Sequence, residues 1–171
     1  HQVELGFSGT STSDVEKVVS NLSTTDTIPE SNGARWAQNT ASIYIQSTDE
    51  TLVAAYKEAI TNWNNTGAFI ADIVATDYSD ANSQAAGLAD TQTNVLTNRI
   101  THVDVKLNRY FLLNSDFGYT HKRIVNTAEH ELGHAIGLDH DDSKTSVMQS
   151  AGSYYGIQQV DIDTVHALYA N

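Results

Sequence analysis

Residues 130–140 read His-Glu-Leu-Gly-His-Ala-Ile-Gly-Leu-Asp-His, and this run restricts what the chain can fold into more than any other stretch. It fills every fixed position of the pattern H-E-x-x-H-x-x-G-x-x-H. On a helix, His130 and His134 lie one turn apart, so both imidazoles face one point, and Glu131 beside them can reach a water held there. His140 follows His134 too closely to share a face of a continuing helix. The chain must break and swing back, and Gly137 is where a left-handed or strained backbone is cheapest. Three neutral imidazoles leave the fourth position on zinc open, which marks a catalytic rather than a structural site. From residue frequencies alone, the full pattern arises by chance in roughly one chain in ten thousand.

The rest of the chain supplies a scaffold for that helix. A length of 171 residues suits one domain with a substantial core. Ala41 to Gln46 alternates as a strand, with Ile43 and Ile45 on one face. Ser47 and Glu50 read as a capping box opening a helix, in which Leu52, Val53, Tyr56, Ala59, Ile60 and Trp63 follow the helical period. Phe69 to Ala75 reads as a buried strand, Asp77 to Gln84 as a loop, and Ala86 to Thr91 as a short strand. Ile100 to Leu107 alternates with Ile100, His102 and Asp104 opposite Thr101, Val103 and Val105. His121 to Gly137 forms the histidine-bearing helix, with Ile124, Val125, Ala128, Leu132 and Ile136 toward the core. Residues 1–33 are polar, with one short helix candidate from Asp14 to Leu22 after Ser13 and a linker from Ser23 to Gly33.

Bulk properties narrow the setting. The net charge of −12 argues against nucleic acid, which needs a basic patch, and favours solubility and cations. No apolar run is long enough for a membrane span. The chain starts at His1 rather than methionine and has no cysteine, so the expectation is a processed, secreted product of bacterial source.

The histidine run resembles the metzincin zinc endopeptidases, and its flanks are similar to their matrixin branch. Ser146-Val147-Met148 stands where metzincins carry a methionine turn beneath the metal, and Met148 is the sole methionine. Asp161 to Tyr169 is similar to the closing matrixin helix, with its Leu-Tyr ending at Leu168-Tyr169. Ala34-Arg35-Trp36, followed by a strand and a helix ending in Trp63, also looks like a matrixin start. Three features depart from the family. Asp141 replaces the usual serine after the third histidine. His102 is the lone histidine between residues 66 and 120, so the family's second, structural zinc is not expected. The first of two adjacent closing-helix aspartates is Val160, which leaves Asp161 alone.

The resemblance implies an α+β, zincin-like catalytic domain over residues 34–171, preceded by an extension or propeptide remnant at 1–33. It implies a twisted, mostly parallel sheet with an antiparallel edge strand, an active-site helix, a Met-turn and a C-terminal helix. It implies one catalytic zinc on His130, His134 and His140, with Glu131 as general base. Gly87-Leu88-Ala89-Asp90 looks like the edge strand along which an extended peptide would pair, through Leu88 and Ala89. Tyr154 and Tyr155 would line the pocket for the residue after the scissile bond. Asn126 stands where matrixins set that pocket's depth, and a mid-sized polar residue there implies an open one. Gly137 and Asp141 would shape the turn around the third ligand, Asp141 by accepting from backbone N–H groups; its other reading is a solvated charge. Asp72, Asp77 and Asp80 flank a loop where relatives bind calcium, but the spacing is not that of an EF-hand, and calcium stays open. The reading is a secreted, monomeric zinc endopeptidase acting on protein or peptide. Two alternatives are a zinc amide hydrolase of cell-wall peptides and a non-catalytic zinc-binding interaction domain, the latter opposed by retention of Glu131.

Overall fold

The computed structural model describes residues 2–4, 12–13, 34–36, 42–65, 72–151 and 153–169. The expected helix at 14–22, the linker after it and the start of the strand expected at 69 lie outside these residues. In chain order the elements are β1 (Gln2–Glu4), β2 (Thr12–Ser13), β3 (Arg35–Trp36), β4 (Ser42–Ile45), α1 (Glu50–Asn64), β5 (Asp72–Tyr78), β6 (Gly87–Asn94), β7 (Arg99–Asn108), α2 (Arg109–Leu112), α3 (His121–Ile136) and α4 (Gln159–Tyr169). The sheet runs β1-β4-β5-β7-β6-β2, with β3 also on β7. Its centre, β4, β5 and β7, is parallel, and β6 pairs antiparallel with β7. This is the mostly parallel α+β arrangement expected, with β1 and β2 added antiparallel at its two margins.

Helix α1 starts at a different cap from the one expected. Asp49, not Ser47, is its N-cap and accepts from the Leu52 N–H at 3.1 Å. Aspartate stands directly before Glu50, where its carboxylate reaches the orphan donors of the first turn, whereas the buried Ser47 hydroxyl has no partner among the described residues. The apolar period itself holds. Leu52, Ala55, Tyr56, Ala59, Ile60 and Trp63 are buried on one side of the helix.

Strand β7 also departs from simple alternation. Gln92 pairs with His102 but Thr93 pairs with Ile100, so Thr101 is an extra residue in the ladder. The bulge turns Ile100 onto the same buried face as Val103, Val105 and Leu107, which a strict two-residue period forbids. Strand β5 extends past its expected end, since Asp77 and Tyr78 pair with Leu107 and Asn108 rather than entering a loop. Strand β6 likewise runs on to Asn94.

The core lies between the sheet and the two long helices, α1 and α3. Trp63 and Leu132 are fully buried there, together with Ile43, Ile73 and Leu107 from the strands. Two indoles lock α3 in place. Trp63 Nε1 donates to the Glu129 carbonyl at 3.0 Å, and Trp36 Nε1 donates to the Ala135 carbonyl at 2.9 Å. The Tyr169 hydroxyl then donates to the Ile136 carbonyl at 3.0 Å, tying the end of α4 to the end of α3. The histidine helix is thus fixed at its middle and its C-terminus by distant parts of the sequence. Among the described residues, no helix is long and apolar enough to cross a membrane.

Candidate metal centre

Helix α3 begins at Thr120, whose side chain accepts from the Arg123 N–H, and ends at Gly137 with φ of 116°. That left-handed residue stops the helix within one turn of His134. The Leu138 N–H bonds back to the Gly133 carbonyl at 2.9 Å, and the chain reverses toward His140. The reversal read from the motif spacing is what brings the third imidazole to the first two.

The three rings are buried and their Nε2 atoms converge. His140 Nε2 lies 3.1 Å from His130 Nε2 and 3.1 Å from His134 Nε2. Their other nitrogens fix the tautomers. His130 Nδ1 donates to the Val147 carbonyl at 2.8 Å, and His134 Nδ1 donates to the Leu138 carbonyl at 2.9 Å. Both Nε2 atoms therefore present lone pairs to the same point. Burial, and next the neighbouring His140, push the His130 pKa down to about 3 against the opposing pull of the Val147 carbonyl, so its ring stays neutral near pH 7. Lone pairs this close repel unless a cation lies between them. Their spacing is near the roughly 3.3 Å edge that a tetrahedral zinc with nitrogen ligands at about 2.0–2.1 Å requires. The residues fit the ion. Among the described residues, these histidines form the one group of three metal-ligating side chains.

Below them, Val147 and Met148 make the floor. Met148 is fully buried and packs against Gly133, where an added Cβ would meet its Sδ at 2.5 Å. The Asp141 N–H donates to the Met148 carbonyl at 3.0 Å. The Asp141 carboxylate accepts from the Ser143 N–H at 2.9 Å and from its hydroxyl at 2.6 Å, and is buried rather than solvated. Asp161, 0 % exposed, anchors the turn from α4. It accepts from Ser146 Oγ at 2.6 Å, the Val147 N–H at 3.0 Å and the Gln158 N–H at 2.8 Å.

Glu131 is fully buried and lies against β6. A Cβ at Gly87 would stand 2.8 Å from both its Cγ and its Oε2. The bare backbone at Gly87 therefore makes room for this glutamate. A glycine inside a strand signals such a close approach, and Gly87 was legible on that ground.

The expected substrate strand is not an open edge. Thr12 pairs with Ala89 and Ser13 with Leu88, antiparallel, so β2 already occupies both positions. Asn126 Nδ2 donates to the Ser153 carbonyl at 3.0 Å, tying that segment to α3. Tyr154 and Tyr155 are exposed, and Tyr154 lies over the Arg123 guanidinium at 4.5 Å. Calcium finds no support. Asp77 binds Arg109 Nε at 2.6 Å, and Asp80 accepts from the Asn82 N–H in its own turn.

One group was not anticipated. Glu129, beside His130, is buried, and burial raises its pKa to about 7; the Asn62 amide and the nearby Ile157 N–H oppose the rise.

A family model described as matrixin matches residues 49–170, from the cap of α1 to the end of α4. No curated protein is found to match the chain.

Proposed function

The chain belongs to the matrixin family of metallopeptidases, and on that premise we propose that it is a secreted zinc endopeptidase that hydrolyses peptide bonds in extended protein segments. The observation that carries the reading is the convergence of His130 Nε2 and His134 Nε2 on His140 Nε2, each at 3.1 Å, beside a buried glutamate. His130, His134 and His140 would hold the zinc, which when bound supplies Lewis acidity toward a water and the scissile carbonyl. The Val147 and Leu138 carbonyls orient the rings, which strengthens the imidazoles as ligands. Glu131 takes the proton of the attacking water and delivers it to the leaving amine. Its burial against Gly87 holds the carboxylate to one position and keeps bulk water from it. Peptide backbone would pair along β6 in exchange for β2, which holds Leu88 and Ala89.

The test is casein cleavage by the wild type and by Glu131→Gln, with zinc measured in both. About one zinc per chain is expected in each, with a rate loss of at least ~10² in the variant. A zinc-loaded wild type that cleaves no protein would overturn the endopeptidase reading. A chain that takes up no zinc would overturn the metal centre itself.

A further inference from the structure

The β6–β7 hairpin ends in an apolar tip. Val95 is 92 % exposed and Leu96 91 %, and no other large apolar side chain among the described residues exceeds 67 %. The turn itself asks for neither residue. Polar groups close it: the Asn94 side chain accepts from the Leu96 N–H at 2.9 Å and the Thr97 N–H at 3.2 Å, and the Asn98 N–H donates to the Asn94 carbonyl at 2.8 Å. Asn98 takes the left-handed backbone, with φ of 57°, that brings the chain round. Valine and leucine add nothing to such a turn and leave two apolar side chains in water. The tip is also held firmly from below. Arg35 and Trp36 pair parallel with Arg99 and Ile100, Ile100 is buried, and the Thr101 hydroxyl donates to the Gln92 carbonyl at 3.2 Å beside the bulge. A tip clamped in this way loses little freedom when a partner covers it.

The strand that leads to the tip starts beside Glu131, which approaches β6 at Gly87. From Gly87 to Val95 the chain advances about 26 Å, at roughly 3.3 Å per residue. The inner edge of β6 is filled by β7. On the outer edge β2 pairs with Leu88 and Ala89, and it does so antiparallel. From Asp90 to Asn94 the outer edge has no strand partner among the described residues. A guest strand that replaces β2 in the same sense runs its N-terminal part toward Asn94. It reaches Val95 and Leu96 after about seven or eight residues. Two other occupants suit the tip less well. A second copy would bury two side chains where stable association needs roughly 800 Å² per partner, and both copies would carry −12. An anionic lipid surface calls for a cluster of basic residues, and the turn from Asn94 to Arg99 offers Arg99 alone.

We propose that the β6–β7 tip is a remote recognition surface for the substrate: an extended protein segment pairs with β6 as far as Asn94 and lays an apolar side chain against Val95 and Leu96. The partner is an unfolded segment with a large apolar residue about seven or eight positions before the scissile bond. The location of that bond, beside Glu131, rests on the endopeptidase reading above. The tip thus selects for long extended segments, and short peptides do not engage it.

The test compares the zinc-loaded full chain with its double variant Val95→Ser/Leu96→Ser. The probes are peptides built on the bond that the wild type cleaves fastest in casein. A short peptide keeps about three residues on each side of the bond. Two long peptides extend it by about seven residues at the N-terminus, ending in Leu-Leu or in Ser-Ser. The wild type is expected to favour the Leu-Leu peptide over the short one by about 5-fold or more in kcat/KM, through KM, and to treat the Ser-Ser peptide like the short one. The double variant should lose that advantage and hydrolyse the short peptide at the wild-type rate. A second arm needs no hydrolysis: fluorescein-labelled casein should bind zinc-loaded Glu131→Gln about 3-fold or more tighter than the same chain with both tip substitutions added. Equal kcat/KM for the short and Leu-Leu peptides, an advantage that survives the double substitution, or one that appears only with C-terminal extensions would overturn the proposal. So would a wild type that sediments as a dimer, or is retained by phosphatidylglycerol vesicles, with that property lost in the double variant. A zinc-loaded wild type that cleaves no casein overturns the endopeptidase reading instead, and the casein-binding arm then decides the tip by itself.

Discussion

Asp161 controls the metal centre from a distance, and its replacement gives the sharpest test of how the centre is held. The carboxylate is 0 % exposed and receives three hydrogen bonds, from Ser146 Oγ, the Val147 N–H and the Gln158 N–H. Asp161→Ala leaves two backbone donors and one hydroxyl without their acceptor. Each buried orphan costs about 1–3 kcal/mol, but the hydroxyl can turn and water can enter the space left, so the net loss is about 3–5 kcal/mol. In a chain of this size that lowers Tm by about 6–20 °C. Asp161→Asn keeps the volume and one acceptor but points an NH₂ at the remaining donors, so about 2 kcal/mol is expected. The consequence reaches the histidines, because the residue whose N–H Asp161 holds also receives His130 Nδ1 on its carbonyl. Loss of such an orienting contact weakens metal binding by about 10–100-fold. Thermal denaturation with and without zinc, and zinc affinity by competition with a chelator, measure both effects. An Asp161→Ala protein within ~1 kcal/mol of wild type in stability, and equal to it in zinc affinity, would refute the reasoning.

Other substitutions probe the close approaches. Gly133→Ala drives a methyl to 2.5 Å from Met148 Sδ and 3.3 Å from Trp63 Cζ2; a loss of about 1–3 kcal/mol is expected in denaturant unfolding. Gly87→Ala presses on Glu131 at 2.8 Å, so kcat/KM should fall by about 10-fold or more with a smaller change in Tm; equal activity would mean that Glu131 has room to spare. Glu129 supplies a pH dependence. Its folded pKa is raised from 4.5 to about 7, chiefly by burial, so the fold favours the protonated form. Stability from this group is full below 4.5 and is lost as pH rises through about 7. In zinc-stripped protein, the stability of wild type relative to Glu129→Gln should therefore fall by about 3 kcal/mol across that window; a difference that stays flat with pH would rule out the burial argument.

The three-histidine cluster was legible because it is local. Two histidines one turn apart and a glycine that ends the helix are enough to bring His140 round, and Gly137 adopts the left-handed backbone that this requires. The long helices were legible from their apolar period. What sequence could not give were partners set by tertiary pairing. Ser47 and Asp49 both suit a cap, and position decided between them. The inward turn of Ile100 depends on the extra residue Thr101, which shows itself only in the ladder with β6. Glu129 reads as one polar residue among several on a helix, and only the packing of α1 and Ile157 around it makes it a buried carboxyl group. The open edge expected at Leu88 and Ala89 was wrong for the same reason: its partner lies more than seventy residues earlier in the chain.

That partner changes the arithmetic of recognition. A guest peptide laid along β6 does not add hydrogen bonds at Leu88 and Ala89; it exchanges them with Thr12 and Ser13. Its affinity is therefore a difference between two pairings. A tethered rival acts at an effective concentration of about millimolar order, whatever the guest's own concentration. The measured dissociation constant is then the intrinsic one divided by the fraction of time the tethered strand is away. A change in residues 12–13 would move apparent affinity for every peptide by one common factor and leave the ranking among peptides where the cleft itself sets it.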